Sequence, residues 1–258
     1  MIARIFRDRG TRRALGRIDR PAAALLAIAQ ATVAAVGWFV EPVWLAVAVA
    51  VQLALGGIGA VRVLGPARPE LGLARYAMPA AAGIAATLVG RLLPGGITLL
   101  LVPVVAVGLW SVTYLELRVE RGTGGRTIGD LLLFVILVGA GWGLLELFGP
   151  RAWPTPVVVV ALFALPLAIR GAEARGALGA EAVGQGLLQV LVVAQVASAA
   201  ILLEMPVYIM AILPGYAFYV WGNAVEALRG GAAGRSVAIE SGSLALIGLV
   251  AGLLLHQP

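Results

Sequence analysis

Long apolar runs, each ended by a short cluster of Gly, Pro and charged residues, follow one another from residue 21 to residue 255. A membrane-spanning helix needs about 20 mostly apolar residues. Runs of that kind fall at about 21–40, 42–64, 75–93, 96–117, 129–148, 155–170, 186–204, 206–228 and 236–255, the run 155–170 being short. They are continuous and rich in Ala and Leu, without the alternation that a membrane β-barrel requires. The pattern predicts an all-α fold, a polytopic transmembrane bundle of about nine helices, with one membrane domain over 21–258.

The first run is too long for the 7–15-residue apolar core of a cleaved signal peptide, and eight more runs follow it. Residues 1–20 form an Arg-rich segment expected in the cytoplasm. Ile2, Ile5 and Phe6 stand at helical spacing, so this segment reads equally as a surface helix lying on the bilayer or as a basic tail.

Arginine placement tests the nine-helix pattern. With the N-terminus inside, seventeen arginines fall on inner segments, from Arg4–Arg20 through Arg62, Arg68, Arg75, Arg118, Arg121, Arg126, Arg170, Arg175 and Arg229 to Arg235. Only Arg91 and Arg151 fall outside. Such a bias follows the positive-inside rule and places the C-terminus outside. The expected location is the cytoplasmic membrane of a prokaryote. The outer connections at Glu41-Pro42, Arg91–Gly96, Gly149–Pro156 and Glu204–Pro206 are tight, which makes adjacent helices antiparallel hairpins.

Composition agrees: 61% of the 258 residues are hydrophobic and 12% charged, against about 45–50% and 25% in soluble domains. The net charge of +6 comes entirely from arginine, with no lysine. These arginines sit in short loops without interleaved aromatics, so nucleic acid is not an expected partner. There is no cysteine, and the one histidine is His256. Thiolate nucleophiles, disulfides, Cys-held clusters, paired-His metal sites and lysine Schiff bases are excluded by the missing atoms. No phosphate-binding loop, nucleophile elbow or metal-ligand motif occurs, and no cofactor is expected.

One internal similarity stands out. Gly125-Arg126-Thr127-Ile128 matches Gly234-Arg235-Ser236-Val237, and the same offset lays Gly139 and Gly143 on Gly248 and Gly252. At an offset two residues larger, Pro103, Trp110 and Arg118 match Pro214, Trp221 and Arg229. The expectation is a duplicated four-helix unit, residues 42–148 and 155–255, with parallel repeats and one added helix.

Ionisable groups within spans are candidates for function because burying charge in hydrocarbon is costly. Glu41, Glu146 and Glu204 lie at outer helix ends and Arg91 near them; they read as an acidic outer mouth or, more simply, as interfacial anchors. Glu116, Asp130, Glu226 and Glu240 lie toward the inner ends, where Glu116 and Glu226 are expected to pair with neighbouring loop arginines. Gln30, Gln52, Thr87, Ser111, Gln195, Ser198 and Asn223 lie deeper and read first as helix-to-helix hydrogen bonds. Pro103 and Pro214, placed inside their helices and related by the similarity, are the hinge candidates.

The leading reading is a permease-like or transporter-like membrane protein for a small molecule or lipid. Its partners are the lipid bilayer and, on a second reading, other membrane subunits for which it is a structural or assembly component. A third reading is an enzyme acting on lipid headgroups through the outer glutamates. A convergent carboxylate pair in a cavity favours the enzyme, and a closed bundle without a central cavity favours the scaffold.

Overall fold

The computed structural model describes residues 20–64, 73–93, 98–120 and 126–254. Within them the chain forms nine helices: α1 (Arg20–Phe39), α2 (Pro42–Ala54, continuing through a π-helical segment Leu55–Gly59 into Ala60–Leu64), α3 (Ala77–Gly90), α4 (Val102–Glu120), α5 (Arg126–Phe148), α6 (Thr155–Ala174), α7 (Ala180–Leu202), α8 (Val207–Arg229) and α9 (Gly234–Leu254). Single 3-10 turns precede α3 (Leu73–Tyr76), α4 (Leu99–Leu101) and α6 (Pro150–Ala152). The fold is an all-helical membrane bundle. The N-terminal segment 1–19 lies outside the described residues.

Seven helices are long and apolar enough to cross a bilayer, α3 and α8 being the exceptions. The short run expected at 155–170 extends to Ala174, which places Arg170 inside the helix rather than at its end. α8 is long at 23 residues but carries Pro214, Gly215, Tyr216, Tyr219 and Asn223, and these lower its apolarity. It is wedged between α5, α7 and α9.

α3 is short for a different reason. It has 14 residues, and none of them is exposed. It packs against α1, α2, α4, α5 and α6, and is the central post of that half of the bundle. Five neighbours fit because Ala80, Ala81, Ala82 and Ala85 keep its surface slim. Small residues let helix backbones approach when lipid supplies no hydrophobic drive. At Gly90 an added methyl would overlap the Trp38 indole of α1, whose Nε1 donates to the Ala86 carbonyl at 3.0 Å. At Gly56, inside the π-helical segment of α2, an added methyl would overlap the backbone of Ala80. The π-segment opens α2 where the α3 backbone presses closest, an irregularity that recurs at functional positions.

The remaining helices extend from this post. α4 packs on α1, α5 bridges α3 and α8, and α6 and α7 form the closest-packed pair. α9 packs on α8 and leaves most of its surface uncovered. Helix ends use glycine where the chain must turn left-handed. Gly176 (φ +88°) and Gly231 (φ +84°) follow α6 and α8, and in both the next amide bonds back five residues, Ala177 to Ala172 O at 3.0 Å and Ala232 to Ala227 O at 3.0 Å. The same cap ends α7, with Met205 N bonding Ala200 O at 3.1 Å, but its left-handed residue is Glu204 (φ +51°).

Candidate functional site

Deep in the first half, Gln30 of α1, Gln52 of α2 and Thr87 of α3 meet, each fully buried. Gln52 Nε2 donates to the Gln30 carbonyl at 2.8 Å and to Thr87 Oγ1 at 3.2 Å. Gln30 Nε2 donates to the Pro79 carbonyl at 3.0 Å, and the Thr87 hydroxyl donates to Gly83 O at 2.8 Å. An added methyl at Gly83 would overlap Gln52 Oε1, so this glycine makes the room that both glutamines use. The side-chain oxygens of Gln30 and Gln52 accept no hydrogen bond. The two glutamine amides donate between helices, as expected for uncharged polar residues at this depth, while the Thr87 hydroxyl donates within α3 and accepts from Gln52.

A second polar cluster lies at the arginine-rich end. Arg170 of α6 pairs with Glu116 of α4 and lies 3.7 Å from the Glu173 carboxylate. All three are buried. The partner of Glu116 is therefore a residue of another helix and not only a neighbouring loop arginine. Burial of this kind is sustained only where charges compensate one another. Next to it, Arg175 turns back beneath Gly171 and Gly222, and its guanidinium donates to Gln189 Oε1 at 3.3 Å. Gln189 Nε2 in turn donates to Phe218 O at 2.8 Å. Asp130, Gly222 and Asn223 complete the walls of this small polar recess, whose free volume of about 10 Å³ suits a single water. Arg170 and Glu173 stand at helical spacing on α6, but Glu116 and Gln189 come from other helices, which no spacing along one element reveals.

The outer candidates are arranged differently. Glu41, Glu146 and Glu204 are all exposed, at the ends of different hairpins. Arg91 makes no ion pair with them. Its guanidinium instead caps the last turn of α1, donating to Gly37 O at 2.9 Å and Val40 O at 2.6 Å. The orphan carbonyls at a helix C-terminus need such donors.

The two hinge prolines differ as well. Pro103 is exposed in the first turn of α4, where proline removes no needed amide. Pro214 is buried well inside α8, beside Leu137, Gly141, Met210 and Ala211. The expectation that both sit well inside their helices therefore holds for Pro214 alone. The matched glycines also face different neighbours: methyls at Gly139 and Gly143 would meet Val89 and Leu88 of α3, whereas methyls at Gly248 and Gly252 would meet Tyr216 and Leu213 of α8.

The large spaces in the molecule are apolar. One groove of about 830 Å³ runs between α2 and α6, with Ala80, Ala81, Ile84 and Leu88 of α3 as its floor and Pro42, Phe148, Phe163 and Pro166 along its rim. A second, of about 590 Å³, lies between α7 and α9 over Leu213, Ala217 and Trp221 of α8. Neither is lined by Glu41, Glu146 or Glu204. Among the described residues no group of three or more His, Cys, Asp or Glu side chains could hold a metal ion. Comparison with protein-family models, with curated proteins and with solved structures found no match to this chain.

Proposed function

We propose that this membrane protein handles lipid: it admits acyl chains from the bilayer into the groove between α2 and α6, in a transporter-like and non-catalytic role. The observation that carries the reading is the chemistry of the space. The groove falls within the 300–1,000 Å³ typical of ligand sites, its walls are hydrocarbon, and it is lined by residues of the apolar spans α2, α5 and α6. A permease for a polar solute needs a polar path through its centre, whereas the donors of Gln30, Gln52 and Thr87 are spent on helix contacts. An enzyme acting on headgroups through the outer glutamates needs two of them in one cavity, and they line neither groove. The arginine-rich end is proposed to face the cytoplasm, in the inner membrane of a prokaryote, and the four-helix similarity to record a duplication. Of the packing expected for units α2–α5 and α6–α9, the pairings α2–α3, α3–α4 and α4–α5 recur as α6–α7, α7–α8 and α8–α9, while the extensive α3–α5 contact has no counterpart of like extent between α7 and α9.

The test is lipid movement in reconstituted vesicles. Proteoliposomes should move a fluorescent-headgroup phospholipid between leaflets faster than protein-free vesicles. Ala46→Trp, on the exposed wall of the groove, should return the rate to the protein-free value. A wild-type rate equal to that of empty vesicles refutes the reading.

A structural or assembly subunit is the second reading, favoured by α9. That helix packs on α8 and turns Ile239, Glu240, Leu246 and Ile247 outward. An acid on an uncovered membrane helix fits a partner subunit better than lipid. Co-purification of a stoichiometric partner lost on Glu240→Leu supports it.

A further inference from the structure

We infer that the groove between α7 and α9 is a binding site for an anionic phospholipid, taken tail-first from the leaflet at the arginine-rich end. This rests on the proposal that bilayer lipid enters the lateral grooves, but it concerns a different groove and assigns the headgroup.

The groove runs the length of the span. On α9 its lining extends from Gly234 to Leu249, about 22 Å at 1.5 Å per residue. That is the reach of one extended acyl chain across a leaflet and slightly beyond. Its walls are Val192, Val196 and Leu203 on one side and Val237, Ala245 and Leu249 on the other. The side chains offer little besides hydrocarbon: the Tyr216 hydroxyl is already committed to Leu244 O at 2.9 Å, tying α8 to α9. Trp221 lies along the floor.

The two mouths differ in charge. At one, where Leu228 and Gly234 line the groove, stand Arg229 and Arg235. Arg229 is engaged by Glu181 and by the Arg175 carbonyl at 3.1 Å, which fixes the α6–α7 connection against the end of α8. Arg235 is exposed and makes no ion pair among the described residues, so its guanidinium is open to a ligand, while the exposed Glu240 lies five residues further along α9 and turns outward. At the other mouth, lined by Leu203 and Met205, the nearest charged residue in the chain is the exposed Glu204. An anionic headgroup is attracted to the first mouth and repelled at the second. A tail between α7 and α9 with its phosphate by Arg235 satisfies both ends, and a basic residue near such a surface contributes about 1 kcal/mol of attraction.

Trp221 supplies the readout. Trp44, Trp110, Trp142 and Trp153 are replaced by Phe, while Trp38 is kept because it is buried and out of lipid reach. The protein is reconstituted in phosphatidylcholine vesicles containing chain-brominated phosphatidylglycerol or chain-brominated phosphatidylcholine, and tryptophan quenching is titrated. The expected result is half-maximal quenching of Trp221 at about fivefold lower mole fraction of the anionic lipid, the factor equivalent to one basic residue. Arg235→Gln should abolish that preference while leaving quenching in place. Ala245→Phe, which fills the groove from an exposed position, should remove quenching by either lipid. A parallel protein that retains Trp110 on the lipid face of α4 in place of Trp221 should show no headgroup preference. Equal quenching by the two lipids overturns the anionic assignment while leaving lipid entry intact. Absence of quenching by both overturns the lipid occupant, and with a cross-linked dimer through α9 it assigns the groove to a second copy of the chain.

Discussion

Arg170 of α6 and Glu116 of α4 form an ion pair sealed from solvent, between two helices that are not among the extensively packed pairs of the bundle. Removing one member leaves a buried charge without its partner, at a cost of about 3–5 kcal/mol, whereas replacing both by apolar residues is often neutral. Arg170→Met should therefore lower the unfolding midpoint in mixed micelles sharply. Arg170→Met with Glu116→Leu and Glu173→Gln, which also removes the second carboxylate facing Arg170, should recover much of the loss, and a triple variant as unstable as the single one would show that the cluster contributes net stability.

Glu204 occupies a left-handed position that Gly176 and Gly231 fill in the equivalent caps of α6 and α8. A residue with a β-carbon is held there at a cost of roughly 1–2 kcal/mol. Glu204→Gly is expected to leave stability unchanged or raise it by up to about 1 kcal/mol, since glycine's greater freedom in the unfolded chain offsets part of the relief. Gly176→Ala is expected to lose about 1 kcal/mol or more. Thermal unfolding of the two variants beside wild type measures both.

Gln52 is the one residue that touches both other members of the deep polar cluster. Interhelical hydrogen bonds of this kind contribute about 0.6 kcal/mol on average, with about 1.7 at most in one well-measured membrane protein. Gln52→Leu should lower stability within that range while leaving lipid movement unchanged. A loss of movement with stability intact would assign the cluster a role in transport.

Topology is open to thiol labelling because the chain has no cysteine. Leu178→Cys and Ala232→Cys lie on exposed connections at the arginine-rich end, and Arg151→Cys on an exposed connection at the opposite end. In intact cells an impermeant maleimide should label position 151 alone. Labelling at 178 or 232 from outside reverses the orientation. The corresponding loops at Arg68 and Arg121 lie outside the described residues.

The helices were legible in the sequence because a bilayer imposes one constraint on every span: enough consecutive apolar residues to satisfy the backbone internally. Their boundaries agree with hydropathy to within about six residues: α7 begins at Ala180 rather than 186, because Glu181 and Gln185 sit in its first turns. Arg170 read as the end of its run because charge normally marks a helix end, whereas α6 continues to Ala174 and Arg170 finds a partner on another helix in Glu116. Arg91 could not be assigned from pattern either. Its ligands are the backbone carbonyls of Gly37 and Val40, which carry no side-chain signal. The grooves were invisible for the same reason: an apolar residue facing a void and one facing a neighbour look alike in sequence, and Ala81 and Ala140 differ only in what stands opposite.

α3 has a bearing on biosynthesis. At 14 residues it covers about 21 Å, less than the roughly 30 Å of hydrocarbon in a bilayer. Released alone from the translocation machinery, it would lack the neighbours that cover its surface, although its last carbonyls at Leu88, Val89 and Gly90 are met by the amides of Arg91, Leu92 and Leu93. Its partners come from both sides of it in the chain: α1 and α2 are synthesised earlier, α4, α5 and α6 later. The ribosome therefore delivers α3 before most of its shelter exists. Seating it must wait until α5 and α6 have emerged, which makes the first half of this protein dependent on the second for completing its own insertion.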